Sequence, residues 1–234
     1  MGGGAVLFAL NPSKAIVSDK NAALIEAYKQ VKEHPRALIN HLEPLTNSEE
    51  FFYELRASKP LSPVGRAARL IYLTNLSFNG IHRVNRKGEF NVPYGHKPHR
   101  PVYEASAIWE ISRILQSVQL LNEDFAVAVA SAVAGDLVYL DPPYTVAHGN
   151  NGFVKYNDKI FSWADQERLA SVATNLKERG CSVVISNADH PSIRMLYQNF
   201  QVQTIERHSI MAASRTFRKK ITECIFHSGA KLTC

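Results

Sequence analysis

The sequence predicts an α/β protein, because short apolar segments typical of buried strands alternate with longer segments that carry apolar residues at helical spacing. The clearest strands are Asp136–Leu140 and Ser182–Ser186, and a helix-like segment follows each of them. The chain has 234 residues, of which 45% are hydrophobic and 21% are charged, a composition that supports a buried core. We expect a mostly parallel sheet that is covered by helices on both faces.

Residues 1–33 predict a glycine turn, a helix, a strand and a second helix, in that order. Gly2-Gly3-Gly4 precedes an apolar segment, and Ala15–Asp19 is a short buried strand that ends in an acid. Asn21 is a candidate N-cap for the following helix, whose apolar residues have helical spacing.

The character of the sequence changes between residues 34 and 101. Helical segments around Glu49–Arg56 and Gly65–Ser77 lead into a stretch in which apolar and polar residues alternate on both sides of Arg86-Lys87-Gly88. Alternation around a turn-forming tripeptide predicts a β-hairpin. We therefore interpret residues 34–101 as an insertion, and assign residues 1–33 and 102–234 to one α/β core.

The αβ alternation returns in the second half of the chain. A helix is predicted over Glu104–Gln119, ahead of the strand that ends at Leu140. The later predicted elements are a helix near Trp163–Arg179, the strand Ser182–Ser186, a helix near Pro191–Tyr197, and strands around Val202–Ile205 and Ile221–Phe226.

Composition and charge exclude several classes of protein. Lys and Arg number 27 against 21 Asp and Glu, and the net charge of +6 points to a polyanionic partner. No run of about 18 apolar residues is present, and the N-terminus lacks a signal-peptide pattern, so we expect no membrane span and a cytoplasmic location. The 3 cysteines lack C-x-x-C spacing and the 9 histidines lack metal-ligand spacing, so neither disulfides nor a metal are expected.

Asp141-Pro142-Pro143-Tyr144 carries the most specific chemical signal. It leaves the carboxyl end of a predicted strand, where open α/β sheets bind their ligands, and its two prolines remove backbone donors so that carbonyls point outward. A carboxylate, a carbonyl and an aromatic ring together accept two N–H bonds from a flat amine, such as that of adenine, and stack on it. The alternative is a simple strand-to-loop turn with a solvated aspartate and a packed tyrosine.

The chain resembles the Dam-type, D12 class of adenine-specific DNA methyltransferases. Their D-P-P-Y motif matches Asp141–Tyr144, and their hairpin signature F/Y-N-G…R-x-N…G-x-F-N-V-P-F/Y-G matches Phe78–Gly80, Arg83–Asn85 and Gly88–Gly95. Shorter matches, in family order, are Ile16–Asn21, Asp124-Phe125 and Val183–Asn187.

The resemblance implies a Rossmann-like S-adenosylmethionine-dependent methyltransferase core with an inserted helical and β-hairpin target-recognition domain. It also implies site-specific transfer of a methyl group from S-adenosylmethionine to the 6-amino group of a flipped adenine in double-stranded DNA, in a host that holds a cognate restriction endonuclease in some cases. The Asp141 carboxylate and the Pro142 carbonyl would accept the amine hydrogens, Pro143 would complete the turn, and Tyr144 would stack on the base. The expected donor-binding residues are Gly2, Gly4, Asp19, Asp124, Phe125 and Asp141. Independently of the resemblance, a carboxylate at the end of the strand after a glycine turn suits a ribose hydroxyl.

The hairpin is the expected DNA reader. Arg83 would fork onto a guanine edge, and Phe78 would wedge into the base stack that the flipped base leaves open. The expected DNA-binding residues are Phe78, Asn79, Arg83, Asn85, Asn91, Pro93 and Tyr94. Phosphate contacts are expected at Arg86, Lys87, Lys97 and Arg100, and at a second basic group formed by Arg207, His208, Arg215, Arg218, Lys219 and Lys220. The alternative in both places is a solvated, charged loop.

The sequence departs from the family at its beginning. Family members carry a G-G-K segment and a strand reading F-x-E-P-F before the glycine turn, whereas this sequence starts at the turn. We expect weak donor binding and reduced stability unless an upstream segment, another chain or a rearranged strand supplies the central strand. The alternative function is therefore a truncated, catalytically inactive remnant that retains DNA binding at most. A third hypothesis, with cytosine or a protein glutamine amide as acceptor, is disfavoured because such families usually carry Ser or Asn where Asp141 stands.

Overall fold

The computed structural model describes residues 1–85, 88–145, 161–208 and 220–229. It has the mixture of helices and strands that the sequence predicts. The chain divides into two compact units, Met1–Asp124 and Phe125–Cys234. In the described part of the chain, no helix is long and apolar enough to cross a bilayer.

The first unit packs helices around a pair of parallel strands. Its elements are α1 (Ala5–Leu10), β1 (Ala15–Ser18), α2 (Ala22–Glu33), α3 (Pro35–Leu42), α4 (Glu49–Ala57), α5 (Pro63–Leu76), a 3₁₀ turn (Phe78–Gly80), α6 (Ala105–Leu115) and β2 (Val118–Leu121). Strands β1 and β2 are parallel, and Ser18 lies opposite Leu121 at their carboxyl ends.

Local sequence explains where the helices of the first unit begin. The side chains of Asn21, Ser48 and Ser62 each accept a hydrogen bond from the backbone N–H three residues later, which satisfies a donor that the first helical turn leaves without a partner. Pro35 and Pro63 occupy the first position of α3 and α5, where no N–H is needed.

Two apolar clusters hold the first unit together. One joins α2, α3, α5 and α6 to β2 and includes the fully buried Leu38, Leu42 and Leu115. The other packs Phe52 of α4 and Tyr72 of α5 against Phe90 and Val92 of the predicted hairpin and against Tyr94, which follows it. The hairpin is therefore anchored on a buried aromatic cluster.

The predicted hairpin is present in a short form. Its ladder is a bridge between Val84 and Phe90, with the Asn91 N–H donating to the Arg83 carbonyl at 3.0 Å. Gly88 has a φ of 78°, in the left-handed region that glycine favours, as the turn prediction requires.

The second unit is built on a four-stranded sheet. Its elements are α7 (Phe125–Ala128), β3 (Leu137–Leu140), α8 (Trp163–Glu178), β4 (Ser182–Ala188), α9 (Pro191–Leu196), β5 (Gln201–His208) and β6 (Lys220–His227). The strand order is β3-β4-β6-β5, in which β3 and β4 are parallel and β6 is antiparallel to both of its neighbours. The core of this unit lies between the sheet and the helices, with Leu169, Ala173 and Leu176 of α8 against Val183 and Ile185.

The prediction for the segment before Asp124 was wrong in part. The helix expected over Glu104–Gln119 ends at Leu115, and Val118–Leu121 is a strand with alternating burial. Ile108, Ile111, Leu115 and Val118 recur at intervals of three or four residues, so helical spacing continues into β2 and hides the boundary. The short helix α3 was not predicted.

The prediction of a mostly parallel sheet also needs correction. The described strands form two sheets, and β6 runs antiparallel between β4 and β5. A buried strand has the same apolar pattern in either direction, so the sequence does not reveal that β6 is reversed.

Replacing Gly95 with Ala should destabilise the first unit. The N–H of Gly95 donates to the Leu76 carbonyl at 2.8 Å, and a Cβ there would lie 2.7 Å from the Ser77 carbonyl oxygen. Because the obstacle is backbone, Gly95→Ala should lower the free energy of unfolding by about 1–3 kcal/mol in urea titrations. Gly3→Ala, whose Cβ would meet no atom within 4 Å, is the control. Equal midpoints for the two variants would contradict the close contact.

Candidate active site

The turn after β3 presents an exposed carboxylate. Asp141 follows the last residue of β3, and its Oδ1 accepts a 2.6 Å hydrogen bond from the Ser186 hydroxyl on β4. The Tyr139 hydroxyl lies 3.2 Å from the same Ser186 oxygen. Since β3 and β4 are parallel neighbours, with Leu140 opposite Ile185, their carboxyl ends bring these side chains together.

The two prolines of this turn are held by a chain of buried amides. The Gln166 side chain on α8 donates to the Pro143 carbonyl at 3.1 Å, and the Asn187 side chain donates to Gln166 at 3.1 Å. The Asn187 oxygen in turn accepts from the Ala188 N–H at 2.8 Å. Both amide side chains are 0% exposed. Because proline has no N–H, side-chain amides provide here the hydrogen-bond donors that backbone N–H groups provide in most turns.

Sequence reasoning missed Gln166 and did not assign a role to Asn187. A signal was available for the first: Gln166 is on the same helical face as Leu169, Ala170 and Ala173, so a polar residue occupies a core position of α8. A buried polar side chain needs a partner, and the Pro143 carbonyl provides one.

A second carboxylate lies beside the glycine turn of the first unit. Asp19 Oδ2 accepts from the Gly2 N–H at 3.2 Å and from the Met1 ammonium group at 3.1 Å, and Oδ1 accepts from the Asn21 N–H at 2.8 Å. Burial acts to raise the pKa of Asp19, but these donors, led by the Asn21 N–H, outweigh it and hold the pKa below its ordinary value. The group is therefore an ionised acceptor.

Hydrogen bonds connect the carboxyl ends of β1 and β2. The Ser18 hydroxyl donates to the Glu123 carbonyl, and the Asn122 side chain donates to the Asp19 carbonyl, each at 2.8 Å. Asp124 forms an ion pair at 2.9 Å with Lys20. The structure thus brings Asp19 and Asp124, which the sequence predicts to bind the donor, to the same sheet edge.

The glycine turn itself leaves room for a ligand. A Cβ on Gly2 would meet no atom within 4 Å, whereas one on Gly4, where φ is 70°, would lie 2.6 Å from the Phe8 ring. The Tyr28 hydroxyl donates to the Gly2 carbonyl at 3.1 Å, and burial raises the pKa of Tyr28 to about 12, so it keeps this proton. Open backbone next to two carboxylates fits the hydroxyl and amino donors of an adenosine group.

Phe125 begins the second unit, with its ring partly covered. The Arg168 guanidinium lies 4.0 Å from the ring centroid, and the Phe161 ring lies 5.9 Å away. A cation over one face fixes the orientation of the ring and polarises it.

The polar residues of the hairpin are paired with one another. Arg83 donates through Nε to the Asn91 side chain at 2.9 Å and through Nη2 to the Asn91 carbonyl at 3.2 Å. Asn85 donates to the Glu89 carboxylate at 2.9 Å and accepts from the Glu89 N–H at 3.0 Å. Two of the five guanidinium donors of Arg83 are thus used to fix its direction.

The hairpin base exposes one aromatic ring and buries another. Phe78 is 36% exposed, Asn79 beside it has a φ of 54°, and Pro93 is exposed. Tyr94 is only 6% exposed, and its hydroxyl donates to Asn47 at 2.6 Å. The ring of Tyr94, which the sequence predicts to contact DNA, is thus part of the buried cluster that anchors the hairpin.

Several predicted phosphate contacts lie outside the described residues. These are Arg86, Lys87, Arg215, Arg218, Lys219 and the side chains of Arg207, His208 and Lys220. Of the described cations, Arg100 donates to the Asn75 side chain at 2.7 Å. In the ranges that the structure covers, no group of three or more His, Cys, Asp or Glu side chains is placed to hold a metal ion.

Comparison with known proteins identifies the class to which this fold and turn belong. Residues 1–211 match the family model of the D12 class N6 adenine-specific DNA methyltransferases. The Type II methyltransferase M1.LlaDCHI of Lactococcus lactis subsp. cremoris is 38% identical over 96% of this chain and 83% of its own length. Type II methyltransferase M.MjaIII of Methanocaldococcus jannaschii is 33% identical over 88% of this chain and 78% of its own length.

A third relative has a more specific name. The DNA adenine methylase of Escherichia coli (strain K12) is 31% identical over 96% of this chain and 83% of its own length. The chain therefore belongs to the D12 class of N6 adenine-specific DNA methyltransferases. The function predicted from the sequence, methylation of adenine in DNA, is confirmed at this level.

Replacing Gln166 should show how much the proline turn depends on it. Gln166→Leu keeps the approximate size but leaves the Pro143 carbonyl and the Asn187 amide without their partner. Each unsatisfied buried group costs about 1–3 kcal/mol, so we expect the free energy of unfolding to fall by about 2–4 kcal/mol in urea titrations. Gln203→Leu, at an exposed position of β5, is the matched control and should change it little. A Gln166→Leu variant as stable as this control would rule out the amide chain as a structural support.

Proposed function

We propose that the chain moves a methyl group from S-adenosylmethionine to the 6-amino group of a flipped adenine in double-stranded DNA, with Asp141 to Tyr144 as the amine-binding turn. The observation that carries this proposal is the exposed Asp141 carboxylate at the carboxyl end of β3, whose Oδ1 accepts from Ser186. S-adenosylmethionine supplies an electrophilic methyl group.

The chemical task of the turn is to make a poor nucleophile reactive. The lone pair of an adenine amine is delocalised into the ring, and acceptors for both of its hydrogens localise that pair. Asp141 is one proposed acceptor. The Pro142 carbonyl is the other proposed acceptor, and the Pro143 carbonyl accepts from Gln166. After transfer the amine carries one proton too many, and Asp141 accepts it. Tyr144 is proposed to stack on the base.

The donor-binding roles follow from the ionised strand-end acceptors. Asp19 is proposed to accept from the ribose hydroxyls. Asp124 and Phe125 are proposed to hold the adenine of the donor, and Gly2 and Gly4 to shape the turn beside it. Asp141 completes this set, which belongs to the proposed Rossmann-like core of residues 1–33 and 102–234.

The hairpin is proposed to read DNA within a recognition domain of residues 34–101. Arg83, which Asn91 holds in one direction, would present its remaining donors to a guanine edge. Exposed Phe78 and Asn79 suit insertion into the stack from which the target base is flipped. Asn85 and Pro93 are proposed to contact DNA next to them.

A functional partner is also proposed. Two of the relatives are named Type II methyltransferases. A cognate restriction endonuclease in the same host is consistent with those names.

Methylation of adenine-containing duplexes should require Asp141. Asp141→Asn keeps the size of the side chain but turns one acceptor oxygen into a donor, and removes the group that takes the proton. We expect transfer of labelled methyl to fall by at least about 100-fold, the usual scale for a lost acid–base group. Asp136→Asn, at the exposed opposite end of β3, is the control and should retain activity. Full activity of Asp141→Asn would refute the proposed site, and methylcytosine as the product would refute the proposed acceptor.

Donor affinity should depend on Asp19. Asp19→Asn removes the charge that makes this group a strong acceptor, so equilibrium dialysis with labelled S-adenosylmethionine should show a Kd about tenfold higher. Glu104→Gln, an exposed acid of the same unit, should leave the Kd unchanged. Equal Kd values for Asp19→Asn and the unmodified chain would remove Asp19 from the donor site.

A further inference from the structure

We propose that Ser186 and Tyr139 are positioning residues that determine which oxygen of Asp141 meets the substrate amine. The two hydroxyls and the carboxylate form a row across β3 and β4, with contacts of 3.2 Å from Tyr139 to Ser186 and 2.6 Å from Ser186 to Asp141. This inference rests on the proposed function for the role of Asp141 as acceptor.

The direction of the row follows from counting protons. An ionised carboxylate only accepts, so the single hydroxyl proton of Ser186 must go to Asp141 Oδ1. The Ser186 oxygen then has only lone pairs left, so the Tyr139 hydroxyl must donate to it. Each member of the row thus fixes the orientation of the next one.

The row can act only while Tyr139 keeps its proton. Burial raises the pKa of Tyr139, and the charges of Asp141 and Glu223 raise it further. Those two carboxylates face the row from the end of β3 and from β6. The side chain of α8 that contacts this turn is Gln166, which carries no charge. On α9, the Arg194 guanidinium forms an ion pair with the Asp189 carboxylate at 2.7 Å. Tyr139 therefore stays a donor at neutral pH.

The consequence for the proposed reaction is that the two oxygens of Asp141 have different tasks. Oδ1 accepts from Ser186, which restrains rotation of the carboxylate, and Oδ2 is then the oxygen that would accept from the substrate amine. Ser186 is only 7% exposed, so water does not easily replace its hydroxyl. Without it the carboxylate can rotate, and the fraction of bound amine that is correctly held falls.

The kinetic test is the set Ser186→Ala, Ser186→Thr and Tyr139→Phe, assayed for methyl transfer to adenine-containing duplex. Ser186→Ala should lower kcat about tenfold with the KM for DNA within about twofold, because alignment and not binding is lost. Ser186→Thr retains a hydroxyl and should recover most of kcat, and Tyr139→Phe should lower kcat about threefold. Ser112→Ala, which removes another buried serine hydroxyl (6% exposed), is the matched control.

A second measurement does not depend on activity. NMR titration of ring-labelled tyrosine, with Tyr139→Phe to assign the signal, should show a lower pKa of Tyr139 in Asp141→Asn, because a nearby negative charge is removed. Because Asp141 is exposed, its variant should fold even if Ser186→Ala does not.

The outcomes separate the two proposals. If the unmodified chain transfers no methyl group but the Tyr139 pKa shifts as expected, the proposed function fails and the row stands. If transfer is observed, a Ser186→Ala variant whose kcat stays within about twofold of the unmodified value overturns the positioning role. A Tyr139 pKa that does not change in Asp141→Asn overturns the row itself.

Discussion

A turn with two consecutive prolines lacks the backbone N–H donors of both residues. The candidate site depends on the side-chain donors that take their place. The Pro143 carbonyl is held by Gln166, which is held by Asn187, which accepts from the backbone of β4. The same helix, α8, supplies Leu169 and its neighbours to the core. The shape of the turn and the packing of α8 on the sheet are therefore one structural property, and damage to either affects both.

Polar groups at the proposed ligand contacts are already paired in the absence of ligands. Arg83 is bound to Asn91, Asn85 to Glu89, and Asp19 to backbone donors of the glycine turn. Such pairs hold side chains in one conformation, which reduces the entropy lost on binding. They also limit which ligands bind, because a ligand that displaces such a pair has to offer contacts at least as favourable as those that are lost. At the proposed DNA contacts, a wrong base that cannot do so would leave the existing pairs in place, and this difference would contribute to specificity.

Sequence patterns predicted most helices, most strands and the position of Asp141, because periodicity, caps and strand-end motifs are local properties. The candidate site was less accessible where it depends on contacts between distant segments. The burial of Tyr94 depends on Phe52 of α4, and the role of Gln166 depends on a turn more than 20 residues away in sequence. The boundary between α6 and β2 was misjudged because both are apolar, and the reversal of β6 leaves no trace in its pattern.

The reversed direction of β6 determines at which edge of the sheet the chain leaves β5 and enters β6. Because β6 is antiparallel to β4 and β5, the last residue of β5 and the first residue of β6 are paired, and both lie at the edge where β4 ends. The chain thus leaves β5 and enters β6 at the edge of the sheet that carries Asp141. A connection whose two ends are fixed by neighbouring strands can change in length or composition at small cost in free energy. The sheet can thus accommodate different connections there while the edge that carries Asp141 keeps its geometry.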